Sequence, residues 1–572
     1  MFKADTLYFN GYIYFTAFKK FVYGYFSVKG DRILHLGAGE VPDDVKYENK
    51  TDLGGKYVIP GLIDCHMHIE SSMITPKTFA RVMVENGVTT VVSEPHEIAN
   101  VKGLSGVLAM IEAGKGADMD IFYAIPSSVP STDAEHETTG DAIDLDAVKE
   151  LIKHKEVICL GEVMNTNGVL NNPQDRQLKF VNYLKENRPD MPLEGHVPRI
   201  SGTDLNHYVY TGINSDHTDH GYDEFMHRMM NGVFYQIQYI TAKEEIAKAI
   251  EEYRLYENVA IVTDDTPPST LMEKGHLNRV IMYMTELGMK FENALYCATA
   301  TPAKRMHLYD RGRLTPGMLA DFCILENTDG IEPLQTYKNG KKVYDRAEVN
   351  SYAGCKGAFP KDFYETMKLG KLSESDFDFK ADKPDGTYTV NGLQTVYEST
   401  RTPKFSEKAE IINGIVALPE DANKLFVFER HGKNGNVKAA LAGGKCVVKG
   451  GAVATSYAHD HHNLVVLGDN NRDMAVAANT VIDNRGGFCV VSGGKVIAQC
   501  RLEVCGLMSE RSPLEVAKDI EAVEEAMCSI GYESHDPIMS IGTMCLPVSM
   551  ECKLTDMGLF DVPNSKFIPI VE

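Results

Sequence analysis

Short apolar runs that end in polar residues and lead into segments of helical periodicity recur along residues 58–263, the pattern of a repeated strand–helix unit. Eight such runs can be read, at 58–63, 88–93, 119–125, 156–161, 191–195, 212–215, 232–237 and 258–263. One intervening helix is well marked: Thr75 is its cap, Pro76 lies in its first turn, Phe79, Met83 and Val84 share a face, and Asn86-Gly87 is the stop. Eight strands with crossover helices predict a closed parallel barrel.

The flanks read differently. TLYFNGYIYF and FVYGYFSVKGDRILHLG at the start are aromatic, alternating and broken by glycines, as are RGRLTPGMLADFCILEN and YKNGKKVY after the barrel, so both ends are expected to join in one small β domain. A polar, turn-rich stretch near Asp376 marks a further boundary. Beyond it, GGKCVVKGGAVA and RGGFCVVSGGKVIA read as glycine turns between strands rather than phosphate cradles, since neither matches a P-loop. Ser512, Pro513 and Glu515 then open a helix with a stripe of Leu514, Ala517, Ile520, Val523, Met527 and Ile530, closed by Gly531. The expected fold class is α/β: a (β/α)8 TIM-like barrel over 58–307, a small split β-sandwich-like domain from 1–57 and 308–375, and a C-terminal α+β domain over 376–572.

Composition narrows the function. The 572 residues carry 58 Lys+Arg against 80 Asp+Glu, a net charge of −22, which repels a nucleic acid polymer. No export signal or membrane span is read, and the 12 cysteines form no CxxC pair, so a reducing cytoplasm is expected.

The chemistry starts at Asp64-Cys65-His66-Met67-His68, directly after the first expected strand. Residues two apart in extended chain point to the same side, so both imidazoles can meet one ion, while Cys65 between them reads as core. An isolated HxH pair is a modest signal. Glu162 after the fourth run, His196 after the fifth, His217 after the sixth and Asp264 after the eighth strengthen it, because all C-terminal strand ends of a parallel barrel open onto one face. Six candidate ligands with a carboxylate able to bridge favour two divalent ions over one. Imidazole and carboxylate donors without thiolate suit iron(II) or manganese, with zinc also compatible.

In their order, PGLIDCHMHIESSMITP, SEPHEIANV, GEVMN, GHVPRISGTDLN, GINSDH, TDD with EKGHLNRVI, ATATPAKRMHL, GGAVATSYAHDHHNLVVLG and CLPVSMECKLTDMGLFDV resemble the adenine deaminases of the amidohydrolase superfamily over nearly the whole chain. The resemblance implies hydrolysis of adenine to hypoxanthine and ammonia, with adenine and water as partners and a homo-oligomeric assembly. It implies that His66, His68 and Asp264 hold one ion, His196 and His217 the other, and that Glu162 bridges them. A water between two cations becomes the nucleophile at C6, and Asp264 shuttles its proton to the departing amine. His96, Glu97 and Glu70 are the candidates to protonate the ring, although Glu94, His96 and Glu97 read equally well as a capped turn. Asn165 and Ser201 either orient the base or cap helices, and Asp265 either backs the site or caps the helix at Pro267-Pro268. His459, Asp460 and His462 fall on the family's own HD and HN positions and are expected to reach the substrate or form a separate polar cluster.

The chain departs from the family at Thr218, where Glu is usual, at Glu94 in place of Asp, at the added His461, and in the seventh-strand segment QIQYITAKEE. None removes an expected ligand. Changes around Thr218 and Gln236 leave two alternatives open: a hydrolase for another aminated heterocycle or cyclic amide, and a non-catalytic ligand-binding protein on the same scaffold.

Overall fold

The computed structural model describes residues 2–198, 200–348 and 352–572. Five N-terminal strands (Lys3–Phe15, Lys20–Lys29, Arg32–Ala38, Lys46–Asp52, Tyr57–Pro60) and three beyond the barrel (Phe322–Leu325, Pro333–Lys338, Lys341–Asp345) form one eight-stranded sheet. The seam between the two halves is the antiparallel pairing of Phe322–Leu325 with Tyr57–Pro60. Its core is aromatic: the Tyr8 and Phe26 rings stack at 4.7 Å and Phe322 meets both edge-on.

Eight parallel strands follow: Leu62–Met67, Val88–Ser93, Asp120–Ile125, Val157–Val163, Leu193–Gly195, Ser215–Asp216, Phe234–Ile237 and Val259–Ile261. The fifth meets the sixth where Gly195 N–H donates to Ser215 Oγ at 2.9 Å. The eighth returns to the first where Asp264 N–H donates to the main-chain oxygen of His66 at 3.1 Å. The ring is thereby closed, with the strand ends on one face.

The expected first strand, 58–63, is in fact two. Pro60 has no N–H with which to extend a ladder, and Gly61 carries the chain from the small sheet into the barrel. A Cβ on Gly61 would lie 2.2 Å from Thr89 Oγ1, so only glycine fits this crossing. The barrel strand starts at Leu62, and His66 lies inside it rather than beyond it. For the same reason of underestimated length, Glu162 lies within the fourth strand. Helix Pro76–Glu85 begins at Thr75 as expected, but the Thr75 hydroxyl sits 3.2 Å from Thr78 Oγ1 instead of capping a main-chain N–H.

The C-terminal region builds a nine-stranded sheet in the order Ile415–Val416, Lys404–Ile412, Gly386–Thr395, Val437–Gly444, Asn423–Phe428, Leu464–Gly468, Gly451–Thr455, Gly487–Ser492, Lys495–Arg501. Gly493 and Gly494, with φ of 58° and 75°, make the tight turn between the last two strands, the role expected of that glycine run. Helix Pro513–Ser529 packs on this sheet, with Ser512 N–H donating to Glu515 Oε2 at 3.1 Å. Its buried face is Val516, Ala517, Ile520, Val523, Ala526 and Met527. Leu514, expected in the stripe, points to solvent from the first turn.

One apolar core runs from the barrel into this sheet, and Ser509 N–H donates to the Met73 oxygen at 2.8 Å, just beyond His68. Gly61→Val should crowd Thr89 and destabilise the protein by about 1–3 kcal/mol, read as a lower midpoint of thermal unfolding that Thr89→Ala partly restores. An unchanged midpoint would refute the steric account.

Candidate metal centre

Period-two geometry sets the first pair of donors: the His66 and His68 rings leave the same strand end with centroids 5.3 Å apart. Asp264 reaches them from the opposite side of the ring closure, its own backbone in the left-handed region at φ 58°. Its Oδ1 lies 3.2 Å from His68 Nε2 and 3.7 Å from His66 Nε2. Glu162 stands between this group and the next. Its Oε1 is 3.6 Å from His68 Nε2, while its Oε2 is 3.1 Å from His217 Nε2 and 3.0 Å from His196 Nδ1. Donors from five strand ends are therefore brought together, and all but His196 and the half-buried Asp264 are shielded from solvent by their neighbours.

Hydrogen bonds behind the cluster aim these groups. His68 Nδ1–H donates to the Glu94 main-chain oxygen at 2.9 Å, which turns Nε2 toward the carboxylates. The Glu94 side chain accepts from Glu162 N–H at 2.7 Å, so the milder Glu-for-Asp change keeps a supporting acceptor. Ser127 and Ser128 donate to the Glu162 main-chain oxygen at 2.6 and 2.9 Å. A buried ion pair, Arg228 Nε to Asp216 Oδ2 at 2.5 Å, ties the loops bearing His196 and His217: Asp216 accepts from Val197 N–H at 3.1 Å and Arg228 donates to the Val197 oxygen at 2.7 Å. Thr218 joins this network through its hydroxyl, 2.8 Å from Asp216 Oδ1.

Electrostatics follow from the crowding. Burial works against charge on Asp264, yet the hydrogen bond from His68 and the nearby His217 and His66 outweigh it and hold the carboxyl well below its usual range. Glu162, also buried, is held down by His196 and His217. Burial pushes the His66 imidazole down to about 3.

Other expected site residues distribute unevenly. His96 opens helix His96–Gly114 and still reaches the cluster, with Nδ1 3.7 Å from Glu162 Oε1. Glu97, His459 and Asp460 gather on the far side of the His96 ring, fully buried. Glu70 is buried beneath the cluster, its Oε1 accepting from Ile98 N–H at 3.3 Å, and burial pushes its carboxyl up to about 7. Asn165 caps helix Thr166–Asn171, accepting from Gly168 N–H at 3.0 Å, and also lines the open cleft. Ser201 is exposed, lies away from that cleft and makes no side-chain cap, because helix Gly202–Tyr210 carries it outward. Cys65 packs with Ile63, Val92 and Ala124, as core.

Sequence reasoning missed Gln238. It pointed to Gln236, which lies one layer deeper and donates to Glu194 Oε2 at 3.1 Å. Two residues on, Gln238 Nε2–H donates to Asp264 Oδ2 at 2.5 Å, with its own main-chain N–H held by Thr241 Oγ1 at 3.1 Å. The signal available was period-two alternation past the end of a short strand. Above the donors opens a cleft of about 2170 Å³, walled by Asn165, Thr218, Gln238, Asp264 and Asp265 from the barrel and by His535 and Met539 from the C-terminal region.

Residues 57–343 match the family model "Amidohydrolase family" and residues 399–566 match "Adenine deaminase C-terminal domain". A curated adenine deaminase of Clostridium perfringens is 40% identical over 98% of this chain and 98% of its own. The chain belongs to the adenine deaminase family. Adenine deaminase 2 of Shouchella clausii is 39% identical over 99% of both chains, and that of Oenococcus oeni 38% identical over 100% of this chain and 99% of its own. Family membership implies divalent metal ions, and the donor set fits them: His66 Nε2 is buried without a hydrogen-bond partner and faces Asp264 Oδ1. Among the described residues no helix is long and apolar enough to cross a membrane.

Gln238→Leu should lower kcat about 10- to 100-fold, the equivalent of a lost hydrogen bond to a charged group. Unaltered steady-state kinetics would remove Gln238 from the site.

Proposed function

We propose that the protein is a hydrolytic adenine deaminase that takes adenine and water to hypoxanthine and ammonia in cytoplasmic purine salvage. The observation that carries this reading is the convergence of imidazoles on Glu162 within a chain similar to adenine deaminases from end to end. Twelve free cysteine thiols suit the reducing compartment. His66, His68 and Asp264 would hold one divalent ion and His196 and His217 a second, with Glu162 between them. Iron(II) or manganese matches these nitrogen and oxygen donors, and zinc is the alternative. When bound, such a pair supplies hydroxide near neutral pH by acidifying water.

The remaining chemistry belongs to side chains. Asp264 takes one proton of the attacking water as its oxygen bonds to C6 of the purine. A proton reaches ring nitrogen N1 from Asp265, which lines the cleft beside Asp264. Ser71 donates to the Asp265 carboxylate and orients it; the cap of the following helix is Pro267, so Asp265 is free of that duty. Asp264 then returns its proton to the amine, the C6–N bond breaks, and ammonia leaves. The new hydroxyl at C6 gives its proton back to Asp265, so hypoxanthine forms with Asp264 ionised and Asp265 protonated, as at the start. Asn165 at the cleft wall holds the base.

Protein reconstituted with manganese or iron(II) should release equimolar ammonia and hypoxanthine from adenine. Turnover of other aminated heterocycles or cyclic amides, but not adenine, by fully loaded protein would overturn the assignment. Glu162→Ala should lose at least one metal equivalent per chain relative to the unaltered protein by elemental analysis, and an unchanged metal content would contradict its bridging place. Asp264→Asn should reduce kcat about 10²- to 10⁴-fold, with adenine affinity by equilibrium dialysis altered far less; equal losses in both would contradict a proton-transfer role.

A further inference from the structure

Beyond the paired-ion cluster, four further donors meet on the other side of the His96 ring. His96 and Glu97 come from the start of helix His96–Gly114, and His459 and Asp460 from a C-terminal loop that inserts into the barrel mouth. His96 Nε2 lies 3.4 Å from Glu97 Oε1 and 3.9 Å from Asp460 Oδ1. His459 Nδ1 lies 2.5 Å from Glu97 Oε1 and 3.8 Å from Asp460 Oδ1. An ion with four donors at about 2.0–2.1 Å in tetrahedral array separates those donors by about 3.4 Å. Three of these four spacings fall at or a little beyond that value, and those around Asp264 and Glu162 lie on either side of it, from 3.0 to 3.7 Å.

Hydrogen bonding does not account for the arrangement. Asp460 Oδ2 is buried and accepts no hydrogen bond, although imidazoles lie close by, while Glu97 Oε1 is met by His459 Nδ1. The outer oxygen of Glu97 is served separately: Ala458 N–H donates to His462 Nδ1 at 3.3 Å, which leaves His462 Nε2–H to donate to Glu97 Oε2. An imidazole backing a carboxylate in this way is the support a metal-binding carboxylate receives elsewhere.

We propose that His96, Glu97, His459 and Asp460 form a third divalent-cation site that clamps the C-terminal region onto the barrel. Two nitrogens and two carboxylate oxygens select a first-row ion such as manganese, iron(II) or zinc over calcium. Because two ligands come from each side, the ion ties the inserted loop to the helix that begins beside Glu162. The site stands independently of which base is deaminated.

The test is anomalous diffraction at the manganese edge from crystals of the manganese-reconstituted full-length protein, paired with elemental analysis. Three peaks per chain are expected, one of them within bonding distance of His96, Glu97, His459 and Asp460. Peaks at the first cluster alone, with no density between these four residues, would overturn the proposal. A peak here without peaks at the first cluster would instead overturn the paired-ion reading. Asp460→Asn should lower the stoichiometry from three to two equivalents with an unchanged circular dichroism spectrum, and an unchanged stoichiometry of three would also count against the site.

Discussion

Glu162 is the point on which the architecture turns. A carboxylate buried at a strand end is costly unless positive charge or hydrogen-bond donors surround it, and here imidazoles from three other strand ends face its two oxygens. Holding donors from separated segments within a few ångströms of one carboxylate demands a rigid frame. The barrel supplies it, and the residues just behind the donors refine it. Asp216 and Arg228 fix the loops of His196 and His217 to each other, Glu94 fixes both Glu162 and His68, and Gln238 fixes the outer oxygen of Asp264. The left-handed backbone at Asp264 belongs to the same demand, since its N–H closes the barrel on His66 while its carboxylate turns inward.

Much of this was legible in the chain because the signals were local. Period-two spacing announced His66 and His68, and an apolar run followed by a polar ligand announced each strand end. Strand limits were less legible. Pro60-Gly61 reads as an interruption only when Thr89 is known to lie against it, a contact between residues far apart in sequence. The helix after Ser512 kept its period but not its phase at the first turn, where Leu514 is free of the sheet and Val516 is not. Side chains that act through another residue were the least visible. Arg228 and Gln238 sit in unremarkable helical and strand-end contexts, and only the fold brings them to Asp216 and Asp264.

Ser201 and Asn165 illustrate how the same residue type at similar places takes different roles. Both precede short helices. Asn165 follows the long fourth strand directly and stays at the cleft while capping its helix, whereas Ser201 lies several residues beyond the fifth strand, and its helix leads outward. Distance along the chain from a strand end, more than residue type, decides whether a polar side chain reaches the site.

The C-terminal region is coupled to that same frame rather than appended to it. Its sheet shares an apolar core with the barrel, and its loop brings His459, Asp460 and His462 against Glu97. Glu97 lies one residue from His96, whose ring faces Glu162 on one edge and Asp460 on the other. Any shift of the inserted loop therefore moves charge next to the central carboxylate through a single imidazole. That adjacency explains why the inserted loop is as deeply buried as the barrel ligands themselves: the loop completes the enclosure in which a buried carboxylate cluster can be stable at all.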